Sequence, residues 1–196
     1  MFDVFAPQPV PSSDGRRRRS EQSRDRIVAA MMALVEAGAI TPGAEEVAAR
    51  AEVGLRSVFR HFKDMDSLYA EMALRLSRFY ETGMAPFETQ GWRNQLFEAL
   101  DRRISIYEKL LPFKRAADAH RHESAAIAAN HAVALSLMRA RLKSLLPPHL
   151  ADDRIAFETL DMLLSVDTWA RLRSEQQLPV EMARGVIERQ VRALVD

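Results

Sequence analysis

Residues 46–68 read Glu46-Val-Ala-Ala-Arg-Ala-Glu-Val-Gly-Leu-Arg-Ser-Val-Phe-Arg-His-Phe-Lys-Asp-Met-Asp-Ser-Leu68. With Ala44 and Glu45 in front, this stretch predicts a short helix over 44–51 whose acids sit in the first turn, where the helix dipole favours them. Glu52-Val53-Gly54 makes a turn, and a second short helix follows over 55–62. Asp64 then caps a longer helix through Leu68, Met72, Leu76 and Phe79, which Gly83 and Pro86 end. Val47, Ala48 and Ala51 give the first short helix a small, branched apolar face, and Val53, Val58 and Phe62 give the second its inward face. Two such helices pack closely at a steep angle, as in a helix-turn-helix. Arg56, Ser57, Phe59, Arg60 and His61, followed by Lys63, are left facing outward. Those groups suit DNA: arginine forks onto a guanine edge, an aromatic contacts the thymine methyl, and Ser, His and Lys hold phosphates. For Phe59 the alternative is packing against the preceding helix, because aromatics at helical spacing commonly fill cores.

The same run resembles the DNA-binding signature of the tetracycline-repressor (TetR) family. It matches at Val47, Ala48, Ala51, Val53, Ser57, Phe59 in place of tyrosine, Arg60, His61, Phe62 and Leu68. By this resemblance Arg56 and Phe59 contact bases, while Ser57, His61 and Lys63 contact phosphates. Two positions depart from the pattern. Glu52 stands where the family has a turn glycine, and a left-handed backbone there costs a non-glycine residue about 1 kcal/mol. Met65 replaces a lysine that reaches a phosphate, a loss that Lys63 and the positive end of the fourth helix partly offset. The resemblance further implies a regulator, acting as a repressor, that binds double-stranded operator DNA as a homodimer and is released by a small organic effector. The other reading is a helical interaction or ligand-binding protein that has lost operator binding.

Composition fits this frame without proving it. The chain has 196 residues, 28% charged and 47% hydrophobic, an ordinary globular balance. It has no cysteine, which removes disulfides and thiolate metal sites and permits a reducing cytoplasm. Net charge is only +1, yet Arg16, Arg17, Arg18 and Arg19 are consecutive, with Arg24 and Arg26 close behind. Residues 1–15 hold Pro7, Pro9, Pro11, Ser12, Ser13 and Gly15, which cannot sustain a packed helix. Residues 1–19 are therefore expected to be a disordered basic arm, either simply solvated or tracking the minor groove or backbone of bound DNA.

From Ser20 onward the periodicity is helical throughout, giving an all-α fold, and the family resemblance implies a DNA-binding domain over 20–66 and a regulatory and dimerisation domain over 67–196. Ile27, Val28, Met31, Leu34 and Val35 form the stripe of the first helix. Later helices are expected over 92–111, ending at Pro112, over 124–146, over 152–175 with Leu160, Leu163, Leu164 and Asp167 on one stripe, and over 180–194. In the last, Ala183, Ile187 and Leu194 are expected to face the chain's own core and Met182, Val186 and Ala193 a partner. Pairing 152–175 and 180–194 across a two-fold axis makes a four-helix dimer interface; a wholly internal last helix is the alternative.

A ligand pocket is expected between 92–111, 124–146 and 152–175, with Tyr107, His131, Asp167 and Trp169 as polar groups and Phe97, Phe113 and Met138 as lining. His131 and Asp167 have a second reading as satisfied structural groups. The helix over 64–82 joins both domains and is the expected lever. His120, His122 and His131 are not at a metal-binding spacing, and neither a phosphate loop nor a nucleophile elbow is present, so no metal, cofactor or catalytic residue is expected. No apolar run reaches the roughly 18 residues that span a bilayer, and the chain is expected to be cytoplasmic.

Overall fold

A computed structural model describes residues 13–195; the remainder of the expected arm, residues 1–12, lies outside them. The described chain is all-α and contains no strand. Its helices are α1 (Ser13–Glu36), α2 (Ala44–Arg50), α3 (Leu55–His61), α4 (Met65–Gly83), α5 (Trp92–His120), α6 (Ala125–Leu145), α7 (Pro148–Ala151), α8 (Arg154–Leu163), α9 (Val166–Ala170) and α10 (Val180–Val195), with a π-helical turn over Arg171–Glu175. None of them is long and apolar enough to cross a membrane.

The first three helices close over Ile27, Val28, Met31 and Val35 of α1, Val47 and Ala48 of α2, and Val58 of α3, all buried. Phe62 and Leu68 seal this head against α4, and α1 packs on α4 and α5 as well. The second half is built around α5, whose Leu96, Leu100, Ile104, Tyr107 and Leu110 repeat at three- and four-residue steps and are buried. Against this stripe pack α4, α6, α9 and α10.

Four expectations need correction. Residues 13–19 are not a disordered arm but the first turns of α1; they carry charge and no apolar period, so periodicity had nothing to register there. α5 runs through Pro112 for 29 residues. Pro112 is exposed, so the carbonyl it leaves unpaired one turn earlier can be hydrated. The segment 152–175 is not one helix: α8 stops at Leu163, and Ser165 caps α9 by accepting from the Thr168 N–H at 3.1 Å. At the break the Leu164 carbonyl accepts from Arg103 Nη1 at 3.0 Å and from Tyr107 Oη at 2.8 Å, so α5 supplies the donors that close the end of α8. Finally, on α10 Ala183 and Ile187 face inward as expected, but Leu194 is 37% exposed and Val191 and Val195 take the inward places.

Candidate nucleic-acid interface and effector cavity

The α2–turn–α3 unit is fixed by local hydrogen bonds. Gly43 precedes α2 and its N–H donates to Glu46 Oε2 at 2.7 Å. After Ala51 the chain reverses through Glu52 at φ +54°, and the Val53 N–H reaches back to the Ala48 carbonyl at 3.0 Å. This is the left-handed helix ending that glycine accepts without penalty. Gly54 then starts α3 in extended geometry, and Asp64 caps α4 by accepting from the Ser67 N–H at 2.8 Å. That bond, ahead of the pull of Ser67 Oγ and Lys63, holds the Asp64 carboxyl below its ordinary pKa.

Burying Val58 turns the other side of α3 to solvent. Leu55 is 40% and Phe59 47% exposed, with Arg56, Arg60 and Lys63 exposed beside them. Phe59 therefore does not pack into the head. Ser57 and His61 are only half-exposed. His61 Nε2 is buried without a hydrogen-bond partner, and burial, then Arg60 and Arg24, push the imidazole pKa down, so the ring is neutral at pH 7. Arg17, Arg18 and Arg19 are exposed on α1, and Arg16 lies in the same turns. One open groove is walled by Arg19, Gln22 and Arg26 of α1 and by Arg60 of α3, so the basic start of α1 adjoins the outward face of α3.

The head is tied to α4 by an ionic chain. Arg24 donates to Glu71 at 2.8 Å, Arg75 lies 3.5 Å from Glu71, and Arg75 also donates to Asp25 at 2.5 Å. Where α4 meets the end of α5, Tyr69 and His120 stack with ring centroids 4.0 Å apart. Tyr69 Oη and His120 Nε2 are both buried without a protein partner.

Further along α4 two small cavities of about 120 and 100 Å³ share Tyr80, His131, Ala134 and Val166 as common wall. The first is closed by Leu76, Phe113, Lys114 and Ile127, the second by Arg103, Tyr107, Met138, Asp161 and Asp167. Of the expected pocket residues, Tyr107, Phe113, His131, Met138 and Asp167 are thus brought together. Phe97 and Trp169 are not. Phe97 sits under the Arg192 guanidinium at 4.4 Å, and Trp169 is fully buried with Nε1 donating to Glu108 at 2.8 Å. Tyr80, Arg103 and Lys114 went unread. Arg103 lies between Leu100 and Tyr107 in the apolar period of α5, and a charge inside that stripe was the available signal. Asp167 is ion-paired to Lys114 at 2.7 Å, and His131 Nε2 lies 3.1 Å from Arg121 Nη1.

α8 and α10 pack on each other and expose Ile155 (81%), Met162 (58%), Met182 (58%) and Val186 (42%). Spacings of seven and four residues put each pair on one helix face.

No family model matches the chain, and no curated protein matches its sequence significantly. In three dimensions it is similar to the crystal structure of a transcriptional regulator from Rhodococcus sp. Rha1, with a TM-score of 0.72 at 22% identity over 88% of this chain and 96% of that one. At that identity the likeness establishes the shared fold.

Proposed function

We propose that this chain is a transcriptional regulator of the tetracycline-repressor type, which reads operator DNA with α3 and is released when a small organic effector enters the cavity beside α4. The observation that carries the reading is the solvent-facing side of α3, where an exposed aromatic and apolar pair, Leu55 and Phe59, is flanked by Arg56, Arg60 and Lys63. Arg56 and Phe59 read base edges; Ser57, Arg60 and Lys63 hold phosphates. His61 is uncharged in this arrangement and contributes at most a neutral hydrogen bond. Arg16 to Arg19 extend the phosphate contact as a helical continuation of α1 rather than as a loose strand.

The protein acts as a homodimer through the exposed apolar faces of α8 and α10, which places two α3 helices at the spacing of successive major grooves, about 34–36 Å. An effector changes DNA affinity only through a conformation it prefers. α4 is the element through which this works: its first turns carry Leu68 and Glu71 against the head and its later turns carry Leu76 and Tyr80 at the cavity. The resemblance of residues 46–68 to the family signature and the regulator fold support the reading together.

The test is selection of bound duplexes from a random pool, followed by gel shift and footprinting on the DNA flanking the gene. Enrichment of a two-fold symmetric site, protected over two successive major grooves, is expected. Failure to retain any duplex at low salt, with the protein folded, overturns the reading.

A further inference from the structure

Every carboxylate lining the two cavities already has a cation. Asp161 pairs with Arg139 at 2.6 Å, and Lys114 pairs with both Asp167 and Asp118, at 2.7 and 2.6 Å. Arg103 is arranged differently. It is 5% exposed, and its guanidinium donates to the backbone carbonyls of Leu164 at 3.0 Å and Met138 at 2.7 Å. Carbonyl dipoles satisfy part of the fork but carry no countercharge, and among the described residues Arg103 forms no ion pair with a carboxylate. A buried cation without a carboxylate is costly, and an anion beside it recovers that cost.

The shared wall offers further donors. Arginine only donates, so in the Arg121–His131 contact Nε2 of the imidazole accepts and, in the neutral ring, Nδ1 carries the proton. Burial, then the charge of Arg121, pushes the His131 pKa down and keeps it neutral. Burial also pushes the Tyr80 phenol up to about 12, so its hydroxyl keeps its proton. Arg103, His131 and Tyr80 thus line one space, which the apolar side chains of Ala134, Met138 and Val166 complete.

From this geometry we infer that the cavity takes a small organic acid, its carboxylate on Arg103 with Tyr80 and His131 as supporting donors and its apolar body against Met138 and Val166. This rests on the reading of the cavity as an effector site and specifies the effector's class. The volumes of about 120 and 100 Å³ suit a single-ring acid rather than a larger one.

The experiment presents the full chain with benzoate and phenylacetate, with benzamide as the neutral isostere and benzylamine as the cationic counterpart, and reads melting temperature and calorimetric Kd. The acids are expected to raise the melting temperature with dose, and benzamide to bind at least about tenfold more weakly. Tyr80→Phe removes one oxygen atom and keeps the ring; it is expected to weaken acid binding about tenfold while the unliganded melting temperature holds. Arg103→Lys keeps the charge and loses the fork, and is expected to abolish the preference for acid over amide. Arg103→Gln, which strips a buried group of its charge, serves only if it folds. Acids that do not bind, or that bind no better than the amide or the amine, overturn the inference. The two readings fail separately. Acid binding by a protein that retains no duplex sinks the regulator and keeps the acid site; release of a selected duplex by the amine or the amide alone keeps the regulator and sinks the acid site.

Discussion

Arg24 of α1 donates to Glu71 of α4 at 2.8 Å and lays its guanidinium 4.8 Å from the centre of the Phe62 ring. One side chain thereby joins the helix that supports the head, the residue that closes α3 and the helix that reaches the cavity. Glu71→Gln is expected to cost about 1 kcal/mol in urea unfolding, a modest figure because Arg24 is 39% exposed and the pair is partly screened. Its hydrogen bond from Arg24, against the opposing effect of burial, holds the Glu71 carboxyl below its ordinary 4.5. The stabilisation is therefore complete above about that pH and is lost as the pH falls through the depressed folded value. The wild-type and Gln proteins should converge in stability in acid, as denaturant midpoints from pH 7 down to pH 3 would reveal.

Phe59 separates a binding role from a packing role. At 47% exposure its truncation to alanine leaves no cavity in the head, and the melting temperature should change little, within about 0.5 kcal/mol. Affinity for a selected duplex should fall about tenfold or more. A large loss of stability with unchanged affinity would reassign the ring to the core.

Glu52 adopts φ +54°, the conformation that glycine reaches without strain. Glu52→Gly should gain up to about 1 kcal/mol, offset in part by the extra freedom of glycine in the unfolded chain. It also removes a carboxylate from the turn that leads into α3, the proposed reading helix, so binding should tighten. Met65→Lys, at the first position of α4, should tighten binding by one phosphate contact and steepen the dependence of log K on log salt by about one unit. Equal affinity for wild type and both variants would make these departures neutral.

The start of α1 is expected to contribute electrostatically and not by sequence. Replacing Arg17, Arg18 and Arg19 with alanine should weaken all duplexes alike and lower the salt slope by up to about three units. A salt titration with an unchanged slope would take these residues out of the interface.

Val186→Asp and Ile155→Asp place charge on exposed apolar faces of α10 and α8, at 42% and 81% exposure, so neither should unfold the protomer. Both should shift sedimentation from dimer towards monomer and weaken binding to a two-fold site far more than to a half-site. Unaltered sedimentation of both variants would place the interface elsewhere.

The residues that wrote themselves plainly into the sequence are those whose role is periodic. Val47, Ala48, Val58 and Phe62 recur as a packing pattern, and the α2–turn–α3 unit follows with boundaries off by about one residue, as helix ends commonly are. Positive φ at Glu52 was legible only through the family resemblance, which has a turn glycine at that position. Elements without a period were not. The first turns of α1 are mostly charged, and the α8–α9 break is set by Arg103 and Tyr107 donating from a distant helix to the Leu164 carbonyl, which no local pattern encodes. For the cavity, the expected wall residues largely converge, whereas Trp169 was misplaced because an aromatic on an apolar stripe looks the same whether it lines a void or fills one. Tyr80 belongs to α4, outside the three helices from which a pocket was expected, and only the packing of α4 on α5 and α6 brings it in.

Tyr69 and His120 meet at the joint between head and body with a hydroxyl and a ring nitrogen that no protein group satisfies. Each unmet group costs about 1–3 kcal/mol. The contact surface between α4 and the end of α5 therefore holds two polar atoms whose hydrogen-bonding capacity its own side chains leave open. On the proposed reading, in which α4 links the cavity to the head, any shift of α4 against α5 changes what these two atoms can bond to.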